Sequence, residues 1–119
     1  IREGSSNYAL LEEDNMVKAF ICYGDARGDK YKDYKEIYSI YIEDNNQKKG
    51  YGTKLIKYCF NIFKKEGYKS VIIRCLKENT ANEFYQKIGG KVVELEHSSV
   101  HGIDITECVY EFILGDKYS

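Results

Sequence analysis

The sequence contains no proline and no apolar run long enough to cross a membrane. A membrane-spanning helix needs about 20 consecutive apolar residues, so a membrane protein is not predicted. The chain opens on Ile-Arg-Glu-Gly and shows no apolar core of a secretory signal. We therefore expect a cytoplasmic protein. The lack of proline by itself says little about function.

The sequence also lacks the closely spaced cysteines of a zinc site or a disulfide framework. Its four cysteines lie tens of residues apart, with no Cys-x-x-Cys pair. Each lies in an apolar stretch, which predicts buried free thiols in a reducing compartment: Cys22, Cys59, Cys75 and Cys108. His97 and His101 have the spacing of a helical metal pair, but their segment is predicted as strand and turn without a third ligand. No metal site is predicted.

The length of 119 residues predicts a single domain, residues 1–119. The net charge of −1 conceals a strong asymmetry, because residues 1–46 carry −4, residues 47–91 carry +8 and residues 92–119 carry −5. A basic middle between acidic flanks indicates an anionic ligand at the middle and a cationic one nearby. The alternative is a lysine-rich helix with a solvated face, and charge alone favours this alternative.

The hydrophobic pattern predicts six strands and two helices in the order β-β-β-α-β-α-β-β. The predicted strands are residues 7–13, 16–23, 36–42, 68–76, 91–96 and 103–114, and the predicted helices are residues 52–66 and 79–88. Residues 24–35 are predicted as a loop, and residues 36–42 as a strand buried on both faces. A strand–helix–strand crossover implies one parallel pair in an otherwise antiparallel sheet. The fold class is therefore α/β, in the layered α+β sense, with a mixed, mostly antiparallel sheet and helices on its faces.

A glycine-containing turn precedes the first predicted helix. It reads Gln47-Lys48-Lys49-Gly50-Tyr51-Gly52-Thr53 and follows an apolar strand. Successive backbone N–H groups at a helix start can bind one anion, and the positive end of the helix dipole lies behind them. The turn is not a Walker P-loop and lacks the third glycine of a dinucleotide fingerprint. From the turn alone, a glycine-rich strand-to-helix connection without a ligand stays open.

Two motifs in this order resemble those of the GNAT family of N-acetyltransferases. The first is Gln-x-x-Gly-x-Gly at residues 47–52, and the second is Asn-x-Ala-x-x-Phe-Tyr-x-x-x-Gly, which begins at Asn79. The resemblance covers roughly residues 7 to 114 and implies the acyl-CoA N-acyltransferase fold with acetyl-CoA as cosubstrate. The chain is similar to bacterial members of the family whose substrate is unassigned.

The resemblance assigns cofactor-binding roles to particular residues. The backbone of a splayed strand would pair with the pantetheine arm and face the thioester, and on this sequence those residues are Ile40, Tyr41 and Ile42. The pyrophosphate would bind at the turn, at Gln47, Lys48, Lys49, Gly50, Tyr51, Gly52 and Thr53. Asn79 would contact the cofactor arm, although a plain helix N-cap explains it equally well.

The resemblance also implies two catalytic residues for direct attack of an amine on the thioester. Tyr85 holds the general-acid position and would protonate the departing thiolate; a core aromatic residue is the alternative. Glu36 aligns with a strand glutamate that acts as general base, provided that desolvation raises its pKa. A solvated strand-end charge is the alternative for Glu36.

The acceptor is expected to be a small-molecule or protein amine. Acidic residues of the flanks would steer a cationic acceptor: Glu12, Glu13, Asp14, Glu94 and Glu96. No nucleic-acid partner is expected, because the basic helix lacks an aromatic-interleaved or helix-turn-helix context. The rival hypothesis is a non-catalytic acyl-CoA-binding or interaction module on the same fold.

Family members normally begin with a strand and one or two helices that precede the first hairpin seen here. The chain begins at Ile1 rather than at a methionine, so we expect an N-terminally truncated version of the fold. The exposed sheet face would then need cover from the rest of a longer protein or from a partner chain, for example in a homodimer.

Overall fold

The computed structural model describes residues 2–3, 7–43 and 50–115, the first pair by backbone alone. These residues form one seven-stranded sheet and two helices. The strands are Arg2–Glu3 (β1), Tyr8–Glu13 (β2), Met16–Asp25 (β3), Lys35–Ile42 (β4), Ser70–Leu76 (β5), Lys91–Val100 (β6) and Ile103–Ile113 (β7). The helices are Tyr51–Lys65 (α1) and Ala81–Lys87 (α2). Across the sheet the order is β1-β2-β3-β4-β5-β7-β6.

The predicted fold class and element order are confirmed. β4 and β5 are parallel, and every other neighbouring pair in the described sheet is antiparallel. The structure adds β1, whose two residues are too few to give a hydrophobic pattern. It also shortens the predicted loop, since β3 runs to Asp25 and a 3₁₀ turn forms at Asp29–Tyr31. That turn forms because Tyr31 is buried against the sheet.

Two-residue turns close the β2–β3 and β6–β7 hairpins. Asp14 and Asn15 have φ angles of 54° and 64°, and His101 and Gly102 have φ angles of 51° and 78°. Two consecutive residues with positive φ match the right-handed twist of the strands that they join, and Asn, Asp and Gly tolerate that conformation best. The β6–β7 hairpin is longer than predicted, because β6 continues to Val100.

Both helices pack on one face of the sheet, which we call the helix face. Their apolar side chains share one core cluster with the sheet residues Ile21, Ile37, Ile73 and Tyr110. The helical periodicity predicted for α1 is confirmed, since Leu55, Phe60 and other apolar residues of its inner face are buried. Burial of each such side chain contributes about 1.5–3 kcal/mol. The other sheet face, which we call the opposite face, carries Glu36, Ile72, Arg74 and Val109, with Tyr31 packed on it.

β4 is not buried on both faces along its whole length, and the prediction was wrong for its second half. Tyr38 is 41% exposed and Tyr41 is 51% exposed. The register with β3 skips Tyr38, which marks a β-bulge, and bulges bend the strand that carries them. Beyond this bulge, β4 no longer pairs with β5 in the described structure; the pairing ends at Ile37 and Ile73. The two parallel strands therefore diverge.

Candidate active site

The divergence of β4 and β5 opens a cleft of about 680 Å³. Its lining comes from β4, the start of α1, the end of β5, the start of α2 and β7. Some lining residues, such as Tyr85, belong to the helix-face core, whereas Arg74 belongs to the opposite face. The cleft therefore reaches both faces of the sheet.

The second half of β4 forms one wall of the cleft. Ile40 and Ile42 line it, and both pack on the helix-face core. The Tyr41 side chain does not line it: this ring stacks on Phe20, with 5.5 Å between the ring centroids. Strand alternation explains the difference, because adjacent side chains point to opposite faces. The predicted role of Ile40, Tyr41 and Ile42 belongs to their backbone, and this backbone pairs with β3 along one edge.

The start of α1 forms the end of the cleft nearest to the predicted phosphate turn. Gly50 adopts a left-handed conformation with φ 77°, and Gly50, Gly52 and Thr53 line the cleft. Gly52 allows the start of α1 to lie close to β4, since a Cβ atom at Gly52 would lie 2.7 Å from Cδ1 of Ile42. Gln47, Lys48 and Lys49 lie outside the described residues.

Tyr51 is buried and is absent from the cleft lining. Its hydroxyl donates a hydrogen bond to Glu13 of β2, which raises the pKa of Tyr51 to about 12, with burial adding to the effect. Within the described chain, this contact ties the start of α1 to the first hairpin. Tyr51 thus has a packing role that its place in the motif did not predict.

Asn79 caps α2 and also lines the cleft. Its Oδ1 accepts a hydrogen bond from the backbone N–H of Ala81 at 2.8 Å. A side-chain oxygen that binds a free N–H group at a helix start is an N-cap interaction. The two interpretations of Asn79 are therefore compatible, because the cap occupies its oxygen and the residue still borders the cleft.

Tyr85 lies in the cleft wall and is 7% exposed. Its ring packs against Phe84 and Tyr110, with centroid distances of 5.6 Å in both cases. Burial, together with nearby Cys75 and Tyr110, raises the pKa of Tyr85 to about 12. No hydrogen bond from its hydroxyl to another described residue is present. A buried phenol with no hydrogen-bond partner among the residues that the structure describes is unusual, and here it borders the cleft.

Glu36 is fully buried between two arginines. Arg27 donates to it from its backbone N–H at 3.0 Å and from Nη2 at 2.7 Å, and Arg74 donates from Nη1 at 2.9 Å. Burial alone would raise the pKa of Glu36, but the Arg27 hydrogen bonds and the two positive charges outweigh it and hold that pKa below its usual value. The predicted base role requires a raised pKa, and the pKa of Glu36 is shifted in the opposite direction.

Arg74 extends this ion pair into a four-residue network on the opposite face, made of Arg27, Glu36, Arg74 and Glu96. Its Nε donates to Glu96 at 2.6 Å, and its Nη2 donates to Glu96 at 3.2 Å and to the backbone oxygen of Arg27 at 2.9 Å. Sequence reasoning missed Arg74. The available signal was a charged residue inside an apolar strand beside the strand of Glu36, since a buried charge requires a partner.

The acidic residues expected to steer the acceptor are engaged elsewhere or lie away from the cleft. Glu94 binds Lys30 at 2.8 Å and Tyr31 at 2.6 Å, and Glu96 binds Arg74. Among the described residues, the acid that lines the cleft is Glu107 of β7, which the sequence analysis did not single out. Its sequence neighbourhood carries no signal of such a role.

Other features bear on alternative functions. His97 Nδ1 lies 3.0 Å from the Thr106 hydroxyl oxygen. The described part of the chain contains no group of three or more His, Cys, Asp or Glu side chains arranged to hold a metal ion. Neither described helix has the length and apolar character needed to span a bilayer. The four cysteines are free thiols, and three of them are buried.

Comparison with known proteins identifies the family. A family model described as an acetyltransferase (GNAT) domain matches residues 4–89. The chain is 29% identical over 105 residues to the uncharacterized N-acetyltransferase CgeE of Bacillus subtilis (strain 168), covering 79% of this chain and 40% of that protein. It is 23% identical over 100 residues to the uncharacterized N-acetyltransferase YuaI of the same organism, covering 84% of this chain and 58% of that protein. The chain thus spans less than two thirds of either relative.

A solved structure gives the same fold. The yncA protein of Salmonella typhimurium, solved with its cofactor acetyl-CoA, superimposes with a TM-score of 0.75 at 20% sequence identity. The superposition covers 92% of this chain and 65% of that protein. The family resemblance derived from the two motifs is confirmed.

Proposed function

The chain belongs to the GNAT acetyltransferase family, and from that premise we propose that it transfers the acetyl group of acetyl-CoA to a primary amine by direct attack. The observation that carries the proposal is the cleft through the sheet, with the Tyr85 hydroxyl in its wall and no hydrogen bond from that hydroxyl to another described residue. A thioester held there is open to an amine from the opposite face, while the rest of the cofactor lies on the helix face.

The backbone of β4 beyond Tyr38 offers the pantetheine arm a strand-like partner. Ile40, Tyr41 and Ile42 pair with β3 on one edge, and their other edge faces the gap left by β5. Unpaired N–H and C=O groups on such an edge can bind the amides of an extended ligand as a neighbouring strand would. One of the N–H groups would also stabilise the oxyanion of the tetrahedral intermediate.

The start of α1 would bind the pyrophosphate. The first helical hydrogen bond of α1 runs from Lys54 N to Gly50 O, so the preceding N–H groups are available to an anion. Gln47, Lys48 and Lys49 are proposed to complete this site on the strength of the motif. An adjoining cavity of about 360 Å³, which shares Thr53 and includes the side chains of Lys57 and Lys87, would take the nucleotide end.

Tyr85 would act on the leaving group. A thiol has a pKa of about 8.5, well below the value of about 12 for Tyr85. Complete proton transfer from the phenol alone would be unfavourable, so the hydroxyl donates a hydrogen bond to sulfur as the C–S bond lengthens. The proton moves only as Tyr85 receives another from the attacking nitrogen. The phenol is protonated at neutral pH, as this role requires.

Glu36 is better suited to hold the apex of the cleft than to accept a proton. Both of its oxygens bind guanidinium groups, and it lies where β4 and β5 last pair. Its negative charge joins Arg27, which follows β3, to Arg74 on β5. We therefore assign it a positioning role.

The experiment combines binding with turnover. Calorimetric titration with acetyl-CoA tests the cofactor site, and release of free CoA with a panel of primary amines, from alkylamines to lysine-containing peptides, tests catalysis. Binding with amine-dependent CoA release supports the proposal. Binding without turnover across the panel supports the non-catalytic acyl-CoA module, and no binding contradicts both. Acetyl-CoA and the free thiols fit a cytoplasmic location, and a homodimer stays a prediction.

A further inference from the structure

We propose that Glu107 receives the acceptor as a cationic primary amine and takes the proton that frees its nitrogen. The inference rests on the proposed function and adds the acceptor class and the missing base. Glu107 lies directly opposite Leu76 of β5 and Glu96 of β6. It is half-buried and lines the cleft.

Strand alternation places Glu107 at the opposite-face end of the cleft. Val109, two residues along β7, belongs to the cluster of the opposite face, whereas Cys108 belongs to the helix-face core. Glu107 therefore shares its face with Val109. The amine can approach from this side without crossing the helices.

The charges around Glu107 favour a cation. Arg74 is the neighbouring positive group, but Glu36, Glu96 and a backbone oxygen already accept hydrogen bonds from four of its five N–H donors. The Glu107 side chain has no hydrogen bond or ion pair with another described residue. On this part of the opposite face, two arginines are therefore present beside three carboxylates: Glu36, Glu96 and Glu107. The excess negative charge is partly buried, where solvent screens it less than at the surface.

The influence of Glu107 reaches the interior of the cleft. Cys75 lines the cleft, and burial raises the pKa of its thiol, with the negative charge of Glu107 among the further causes. The same charge that disfavours a thiolate at Cys75 favours an ammonium in the neighbouring space.

The proposed reaction conserves atoms and charge. The ammonium gives one proton to a Glu107 oxygen, and the nitrogen lone pair attacks the thioester carbon. The C–S bond breaks and its electron pair leaves with sulfur. A second N–H proton passes to Tyr85 as Tyr85 protonates the sulfur. The products are the amide and CoA thiol, and Glu107 releases its proton to solvent.

The central test is E107Q in the full chain, with D104N as the matched control. Asp104 is an exposed acid on the same strand and does not line the cleft. With an alkylamine, E107Q should lower kcat/KM about 100-fold or more, whereas D104N and the acetyl-CoA affinity of both variants should stay within a factor of about two. E107D should restore part of the rate. Hydroxylamine is mostly neutral at neutral pH, so its attack needs no base. With hydroxylamine, E107Q should therefore lower kcat/KM by less than about tenfold.

Equal losses with hydroxylamine and the alkylamine would mean that Glu107 acts structurally, and unchanged turnover in E107Q would overturn the proposal. Binding of propylammonium chloride, followed by NMR on the protein loaded with CoA, which has no acetyl group to transfer, provides a readout without turnover. E107Q should weaken this binding at least fivefold and D104N should not; equal affinities would contradict the inference. Failure of the wild-type chain to bind acetyl-CoA would instead count against the proposed function. In that case, propylammonium binding to wild type, E107Q and D104N without cofactor would still test the role of Glu107.

Discussion

Replacement of Glu36 by glutamine distinguishes a structural carboxylate from a catalytic one. Glutamine keeps the shape of the side chain but removes the charge that binds Arg27 and Arg74. The positioning role predicts a large loss of stability and retained turnover under conditions where the protein stays folded. A general-base role predicts strongly reduced turnover even where the protein stays folded.

The magnitude follows from the burial of the three side chains. Glu36 is fully buried and the Arg74 side chain is 10% exposed, whereas the Arg27 side chain is 63% exposed. Breaking a buried ion pair by removal of one partner costs about 3–5 kcal/mol. The lower end applies, because Arg74 keeps Glu96 and Arg27 can be solvated. About 3 kcal/mol corresponds to a decrease in Tm of about 10–15 °C for a chain of this size.

The pH dependence provides a second measurement. The pKa of Glu36 is lower in the folded chain than its ordinary value of 4.5. Its contribution to the free energy of unfolding is therefore complete above pH 4.5 and is lost as the pH falls through the folded-state pKa. Urea unfolding of wild type and E36Q should differ by a constant amount near neutral pH, and the two curves should converge in acid.

The control is E78Q, which removes an exposed carboxylate outside the cleft lining. Its free energy of unfolding should stay within about 0.5 kcal/mol of wild type. The reasoning fails if E36Q is as stable as E78Q, or if the difference between E36Q and wild type does not shrink in acid.

Two further substitutions test the cofactor site. Y85F should bind acetyl-CoA with nearly wild-type affinity by calorimetry, because the hydroxyl has no protein partner in the described chain. The same variant should lower kcat about 100-fold, and an unchanged kcat would remove Tyr85 from the mechanism. G52V places a branched side chain against Ile42, where even a Cβ atom would come within 2.7 Å, and should weaken acetyl-CoA binding at least about tenfold, which corresponds to 1.4 kcal/mol. G115V, at a site with no heavy atom within 4 Å of the added Cβ, is its control, and equal affinities for the two variants would contradict the placement of the cofactor.

Hydrophobic periodicity predicted the element order because each periodic segment has one clear buried face. The apolar stripe of α1 and the continuous apolar centre of β5 are examples, and both are buried as expected. The second half of β4 was mispredicted because its sequence is as apolar as a buried strand. Its exposure depends on a bulge opposite β3, which involves a neighbour distant in sequence.

The candidate site was predictable where a motif is local. The glycines of the turn and Tyr85, which the two motifs named, border the cleft, and their roles toward the cofactor stay predictions. Glu36 was selected by alignment, but its environment depends on Arg27 and Arg74, which only the folded sheet brings to it. Glu107 lies on a hairpin strand, and its neighbours across the sheet cannot be inferred from the residues beside it.

The opening of the sheet depends on the number of residues in β4, because the bulge at Tyr38 adds one residue to that strand. One additional residue in β4 separates it from β5, and the side chains that follow keep an alternation that turns Ile40 and Ile42 to the cleft. Deletion of Tyr38 would remove the bulge and leave Ile37 and Ser39 opposite their present partners in β3, so that β4 would continue beside β5 and close the cleft. The capacity of the sheet to admit a ligand is thus encoded in the length of one strand, and substitutions that preserve this length can vary the lining while the passage remains.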